Sequence, residues 1–233
     1  MNTCLYCEGV HTSQFTFSHF LKGGETGLCE LCLKKCLFIK EPYCLLCGRS
    51  LLHLSSQFID HDICKDCAVW KTSSYRGMMT KNRSLLHYNA FIKEWMNRFK
   101  FQGDYALLLS FKKEWLSLFY QHFKTCSLII PIPLSAERHL ERGFNQSEAL
   151  ASLLPRQIVS PLSRLHTEKQ SQKNKQERLQ EELFTFSSSR KLNNEEVLLI
   201  DDIYTTGATL YKASKVLKQN GAGLISAMTL ARS

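Results

Sequence analysis

The sequence predicts an α/β protein: a parallel sheet layered with helices, preceded by a small cysteine-rich zinc-ribbon domain. Three observations carry that expectation. The apolar run Val197-Leu198-Leu199-Ile200 reads as a strand buried on both faces, as parallel strands are. Two carboxylates follow it, Asp201 and Asp202, and then a loop of small residues that opens a helix near Ala208. Upstream, four C-x-x-C pairs crowd residues 1–70.

Those pairs are Cys4/Cys7, Cys29/Cys32, Cys44/Cys47 and Cys64/Cys67, with 21 residues between the first two pairs and 16 between the last two. The intervals are close to the spacing of a four-cysteine zinc site. Each C-x-x-C turn aims two thiolates at one ion, and two turns complete a tetrahedron. The expected metal content is therefore two zinc ions. Both would be structural, because protein sulfur fills every coordination position. Sequential pairing gives two zinc ribbons; interleaved pairing, as in cross-brace domains, stays open. Gly48, after Cys47, suits a tight turn. Cys36 and Cys126 fall outside the pattern and read as buried or free thiols. His53 and His61 lie near the second group and are the alternative ligands to a thiolate there, although four cysteines already complete the set.

Residues 71–87 carry Lys71, Arg76, Lys81 and Arg83 amid Ser and Thr, and read as a solvated basic linker. A second domain is expected over 88–233. It opens on Tyr88, Phe91, Ile92, Trp95, Met96 and Phe99, spaced as one face of a helix. Lys93, Glu94, Asn97, Arg98 and Lys100 take the polar face. Gly103 breaks that helix, and Asp104 is placed to cap another from about Tyr105 to Phe123. Ser127-Leu128-Ile129-Ile130 predicts a buried strand, stopped by Pro131-Ile132-Pro133. Arg138 and Arg142 lie four apart after that strand and can face one polyanion together. The alternative is a surface pairing with Glu137 or Glu141. Asn145 can cap a helix through Leu154.

Residues 160–182 are polar and basic, with Arg164, Lys169, Lys173, Lys175 and Arg178. They read equally well as a functional loop or a solvated charged helix. Leu210, Val216 and Leu217 line a helix that Asn220-Gly221 ends. Ala222 to Leu230 then form the last strand and close a βαβ unit.

With 233 residues the chain fits one or two domains. Its formal charge of +9 drops once thiolates hold zinc, yet stays basic and favours a polyanionic partner. No run approaches the roughly 18 apolar residues of a membrane span, so no membrane insertion is expected. Met1-Asn2-Thr3-Cys4 has neither the basic nor the apolar region of a signal peptide, which points to the cytoplasm. There, ten cysteines favour metal ligation or free thiols over disulfides.

The loop Thr205-Thr206-Gly207-Ala208-Thr209 offers backbone N–H groups, hydroxyls and a helix N-terminus, all suited to a phosphate. Carboxylates beside a phosphate need another partner, such as sugar hydroxyls or Mg²⁺. The stretch resembles the phosphoribosyl-pyrophosphate (PRPP) motif of type I phosphoribosyltransferases. That resemblance implies that Asp201 and Asp202 face the ribose 2′- and 3′-hydroxyls. It also implies that Thr205, Thr206, Gly207, Ala208 and Thr209 hold the 5′-phosphate, with magnesium accompanying PRPP.

A closer likeness spans nearly the whole chain. Phe99-Lys100-Phe101-Gln102-Gly103-Asp104, Pro131-Ile132-Pro133-Leu134 and Arg142-Gly143-Phe144-Asn145-Gln146 precede the PRPP motif. This order, behind a double zinc ribbon, is similar to the competence protein F (ComF/GntX) family. Arg164, Thr167, Gln170 and Arg178 match a further family pattern, although Lys173 and Glu181 depart from it. The resemblance implies a type I phosphoribosyltransferase fold behind a zinc module. It further implies a late-competence role in DNA uptake, with single-stranded DNA, PRPP and other DNA-uptake proteins as partners. Arg138, Arg142, Arg164, Lys169 and Arg178 would then bind pyrophosphate or DNA phosphate. The alternative is an active transferase that moves ribose 5-phosphate to a nitrogen acceptor. Purine-salvage relatives that act on 6-oxopurines carry an Asp three residues after the second motif acid. Thr205 stands there, which argues against such bases.

Overall fold

The structure, a computed structural model, describes residues 2–11, 27–52, 54–165, 182–189 and 191–233. Short strands β1 (Asn2–Thr3) and β2 (Val10–His11) pair antiparallel, and helix α1 (Glu30–Leu33) follows. Strands β3 (Ile59–Asp60) and β4 (Ile63–Cys64) form a second small hairpin that leads into helix α2 (Lys65–Thr72). Next come β5 (Asn82–His87), α3 (Ala90–Phe101), α4 (Lys112–His122), β6 (Leu128–Pro131), α5 (Ala136–Arg142), α6 (Gln146–Ser152) and β7 (Gln157–Ile158). Then β8 (Leu162–Arg164) and β9 (Phe184–Phe186) pair antiparallel. The chain finishes with β10 (Val197–Tyr204), α7 (Ala208–Gln219) and β11 (Ile225–Arg232).

Five strands make the central sheet in the order β5-β11-β10-β6-β7, and every pairing is parallel. Alternation along β10 divides the core between the two faces of the sheet. Leu198 and Ile200 pack with Ile92, Trp95 and Phe99 of α3 and with Trp115 and Phe119 of α4. Val197 and Leu199 pack on the other face with Leu210, Ala213 and Leu217 of α7. The aromatic stripe of α3 is core, as its spacing predicts, and Asn89 caps that helix by accepting the Ile92 N–H at 2.9 Å.

The cysteine-rich half straddles this sheet. Cys4, Cys29 and Cys32 belong to the α3/α4 side of the core, whereas Cys44, Cys47, Cys64 and Cys67 belong to the α7 side.

Three expectations need correction. Residues 71–87 are not a solvated linker throughout, because Asn82–His87 forms edge strand β5 with five of its six residues buried. Its polar side chains are buried with partners. Asn82 Nδ2 donates to the Cys47 carbonyl at 3.2 Å, Ser84 Oγ meets Thr229 Oγ1 at 2.7 Å, and Arg83 donates to the Leu45 carbonyl at 3.0 Å. Asp104 does not cap a long helix. Its carboxylate accepts from Arg98 at 3.0 Å, and a 3₁₀ turn over Tyr105–Phe111 precedes α4. The last strand starts later than expected, at Ile225, because Gly221 to Gly223 complete the turn after α7.

Candidate functional site

Strand β10 outruns its neighbour β6, whose last pairing is Pro131 with Ile200. Asp201 and Asp202 therefore stand past the end of β6, while β10 goes on pairing with β11, at the carboxyl edge where α/β sheets bind ligands. The chain then turns through Thr205-Thr206-Gly207 into α7. Gly207 has φ +86°, and a Cβ there would lie 2.3 Å from the Tyr204 hydroxyl oxygen, so only glycine fits. Gly207 offers α7 no capping side chain, and although the Ala208 N–H reaches Thr206 Oγ1 at 3.4 Å, the following N–H groups of the first turn are left for a ligand. Thr205 and Thr206 are exposed, and Thr209 lines the adjoining cavity.

That cavity measures about 170 Å³ and, besides Thr209 of α7, brings together groups from five elements. Lys100 comes from α3, Arg138 and Arg142 from α5, Gln146 and Ser147 from α6, Arg164 from β8, and the acid pair from β10. Four cations thus face two carboxylates. Asp201 Oδ1 accepts from Ser147 Oγ at 3.2 Å and from the Asp202 N–H at 2.9 Å. Burial, then the neighbouring Asp202 charge, nevertheless pushes the Asp201 carboxyl up to about 7. Asp202 forms an ion pair with Lys100.

Arg138 and Arg142 make no ion pair with Glu137 or Glu141 among the described residues, and both line the cavity. Arg142 donates to Gln146 Oε1 at 2.8 Å, and its buried Nε has no partner among the described residues. Its guanidinium therefore keeps a donor for an anion. Burial and the Arg138 charge lower the affinity of Arg164 for its proton, as expected where cations gather without enough counter-charge. Lys169 and Arg178, with Thr167, Gln170, Lys173 and Glu181, lie outside the described residues, as does His53.

Lys100, Gln146 and Ser147 were not assigned to the site from sequence. Lys100 and Gln146 sit within the quoted motifs, so the signal was present, but helical spacing alone places Lys100 on a solvated face.

The eight paired cysteines gather into two groups, Cys4/Cys7/Cys29/Cys32 and Cys44/Cys47/Cys64/Cys67, the sulfurs of each within 4.8 Å of one another. This is the sequential pairing. Four sulfurs on one zinc ion stand about 3.8 Å apart, since Zn–S is about 2.3 Å. The Cys7–Cys29 separation is 3.8 Å and Cys47–Cys64 is 3.6 Å, so both groups fit such an ion. Backbone N–H groups of Cys29 and Cys64 point at Cys4 Sγ and Cys44 Sγ, each at 3.3 Å, which favours thiolate. Cys36 and Cys126 stay apart, and burial pushes both thiols up to about 12. The His61 ring is exposed and bonded to Asp60.

Trp70, one turn after Cys67 on α2, links the second group to the phosphate-type loop. Its indole N–H donates to the Thr206 carbonyl at 3.0 Å, and its ring stacks on Tyr211 of α7 with centroids 4.2 Å apart.

Residues 141–233 match the phosphoribosyl transferase domain family. Competence protein ComFC of Bacillus subtilis is 39% identical over 99% of this chain and 95% of its own length. Competence protein ComFC of Streptococcus pneumoniae is 33% identical over 98% of this chain and 99% of its own length. Among solved structures, a hypoxanthine phosphoribosyltransferase from Staphylococcus aureus overlaps 54% of this chain and 63% of its own, at 17% identity and a TM-score of 0.35. With two relatives at these identities over almost its full length, the chain belongs to the ComF family of competence proteins.

Proposed function

We propose that this protein is a late-competence DNA-uptake protein that binds single-stranded DNA during natural transformation and carries a PRPP-binding, phosphoribosyltransferase-like domain. The observation that carries the reading is the cavity at the end of β10. An acid pair, a phosphate-type loop and four cations converge there in a chain whose full-length relatives are named competence proteins. Asp201 and Asp202 would accept from the ribose hydroxyls, and Thr205 to Thr209 would hold the 5′-phosphate at the start of α7. Arg138, Arg142 and Arg164 would face the pyrophosphate, whose charge Mg²⁺ shares when bound. The two cysteine groups would hold zinc as closed structural centres. No described helix is long and apolar enough to cross a membrane, and the cytoplasm is the proposed compartment.

The test is fluorescence anisotropy of a labelled single-stranded oligonucleotide, titrated with zinc-loaded protein with and without Mg²⁺-PRPP. Tight binding that weakens with salt supports the DNA role. A shift in affinity on adding PRPP shows that the two ligands are linked. No binding at low salt overturns the role in favour of a second reading, a working phosphoribosyltransferase. The intact acid pair and loop favour that alternative, and pyrophosphate release across a panel of nitrogen bases would establish it.

A further inference from the structure

A second cavity, of about 510 Å³, lies on the α7 side of the sheet, where the helix after the second cysteine group meets the transferase-like half. That volume suits a nucleotide-sized ligand. Three aromatic rings form its wall: Trp70 of α2, Tyr75 and Tyr211 of α7. Tyr75 meets Trp70 edge-on with ring centroids 5.5 Å apart, and Trp70 stacks on Tyr211, so the wall is a rigid block. Lys71 and Arg76 line the same cavity and are exposed, Lys215 reaches to 5.8 Å from the Tyr75 ring, and among the described residues no carboxylate lines it. Glu182 acts on Tyr75 only from outside the lining.

Aromatic rings beside basic side chains are the recurring combination that holds unpaired bases and tracks their phosphates. Trp70 also holds the Thr206 carbonyl of the phosphate-type loop, so the cavity adjoins the loop. We propose that this cavity is a nucleotide subsite for single-stranded DNA, with a base against Trp70 and Tyr75 and its phosphates on Lys71 and Arg76. The proposal rests on the single-strand reading above and adds where the strand binds.

The experiment uses the full zinc-loaded chain, a labelled thymidine oligonucleotide and two double variants of equal charge change. One is Lys71→Glu/Arg76→Glu. The control is Lys112→Glu/Lys113→Glu, two exposed residues on α4. The subsite variant should lose about tenfold in affinity or more, and its salt slope should fall by roughly 1.4, about 0.7 for each lost phosphate contact on a single strand. The control should change both far less. Equal losses in the two variants, or no loss in the first while the unaltered protein binds, overturn the subsite and leave the DNA role standing. Failure of the unaltered protein to bind overturns both. Photocrosslinking of the unaltered protein to an oligonucleotide containing 5-iodouracil gives a reading free of any folding defect. A crosslink on Trp70 or Tyr75 is expected, and crosslinks confined to other surfaces refute the assignment.

Discussion

The Lys100 ammonium on α3 pairs with the Asp202 carboxylate at the end of β10, and both side chains are largely buried, at 12% and 16% exposure. This ion pair does not offset the crowding of two acids, since Asp201 beside Asp202 is pushed up to about 7, chiefly by burial. An ionised carboxylate accepts from sugar hydroxyls more strongly than a protonated one. Affinity for Mg²⁺-PRPP should therefore rise as pH increases through about 7. Lys100→Met should move that midpoint upward by removing the cation. Isothermal titration calorimetry across pH at fixed ionic strength reads both effects, and a flat profile would sink the role given to Asp201.

The same carboxyl makes stability depend on pH. Folded Asp201 keeps its proton to about 7, and the unfolded chain gives it up near the ordinary 3.8. Between those values the folded state binds more protons, so stability falls as pH rises through the window. Asp201→Asn should flatten this part of the profile, as read by urea midpoints at a series of pH values.

Asp202→Asn should weaken Mg²⁺-dependent PRPP binding severely. Losing a charged hydrogen-bond partner costs about 1.5–3 kcal/mol, or roughly tenfold and more in affinity. The variant also leaves Lys100 unpaired inside the cavity. Unchanged affinity would show that the ribose site lies elsewhere.

Trp70→Phe keeps a ring against Tyr211 and removes only the N–H that reaches Thr206. It should cost about 1 kcal/mol, a fall of roughly 2–4 °C in Tm for a chain of this size. PRPP affinity should drop a few-fold as the loop loosens. A Tm loss with wild-type PRPP affinity would mean that the indole anchors packing alone.

Strong chelation should unfold the cysteine-rich part, since small four-cysteine modules draw folding energy from their metal. The second group shares a core with β10 and α7, so the loss should also weaken PRPP binding. Metal analysis after chelation, beside circular dichroism, checks this. Retained fold and retained metal would mean that the ion is not zinc held in equilibrium with the chelator, and retained fold without metal would remove the structural role.

Local signals made much of this legible in the sequence. The run Val197 to Ile200, the two acids and the turn at Gly207 are contiguous, so strand, edge and loop could be read together. The cysteine pairs announced themselves by spacing, though only the fold showed which pairs meet. Strand β5 was hidden because Asn82, Arg83 and Ser84 look solvated, and what buries them are carbonyls of Cys47 and Leu45 and the hydroxyl of Thr229. Lys100 was hidden for a related reason. Helical period assigns it to the polar face but cannot show that this face turns toward the carboxyl edge of the sheet. Trp70 carried no motif, and its partner Thr206 lies 136 positions away.

Strand β5 also bears on how such a protein can be divided. A fragment beginning at the aromatic helix would look like a complete transferase half, yet it would lack the strand that covers β11. All eight residues of β11 are buried, and an apolar strand left with an open edge invites intermolecular pairing. A cut that spares this edge must fall before Asn82, ahead of β5. A fragment cut after β5 belongs in inclusion bodies rather than in an assay.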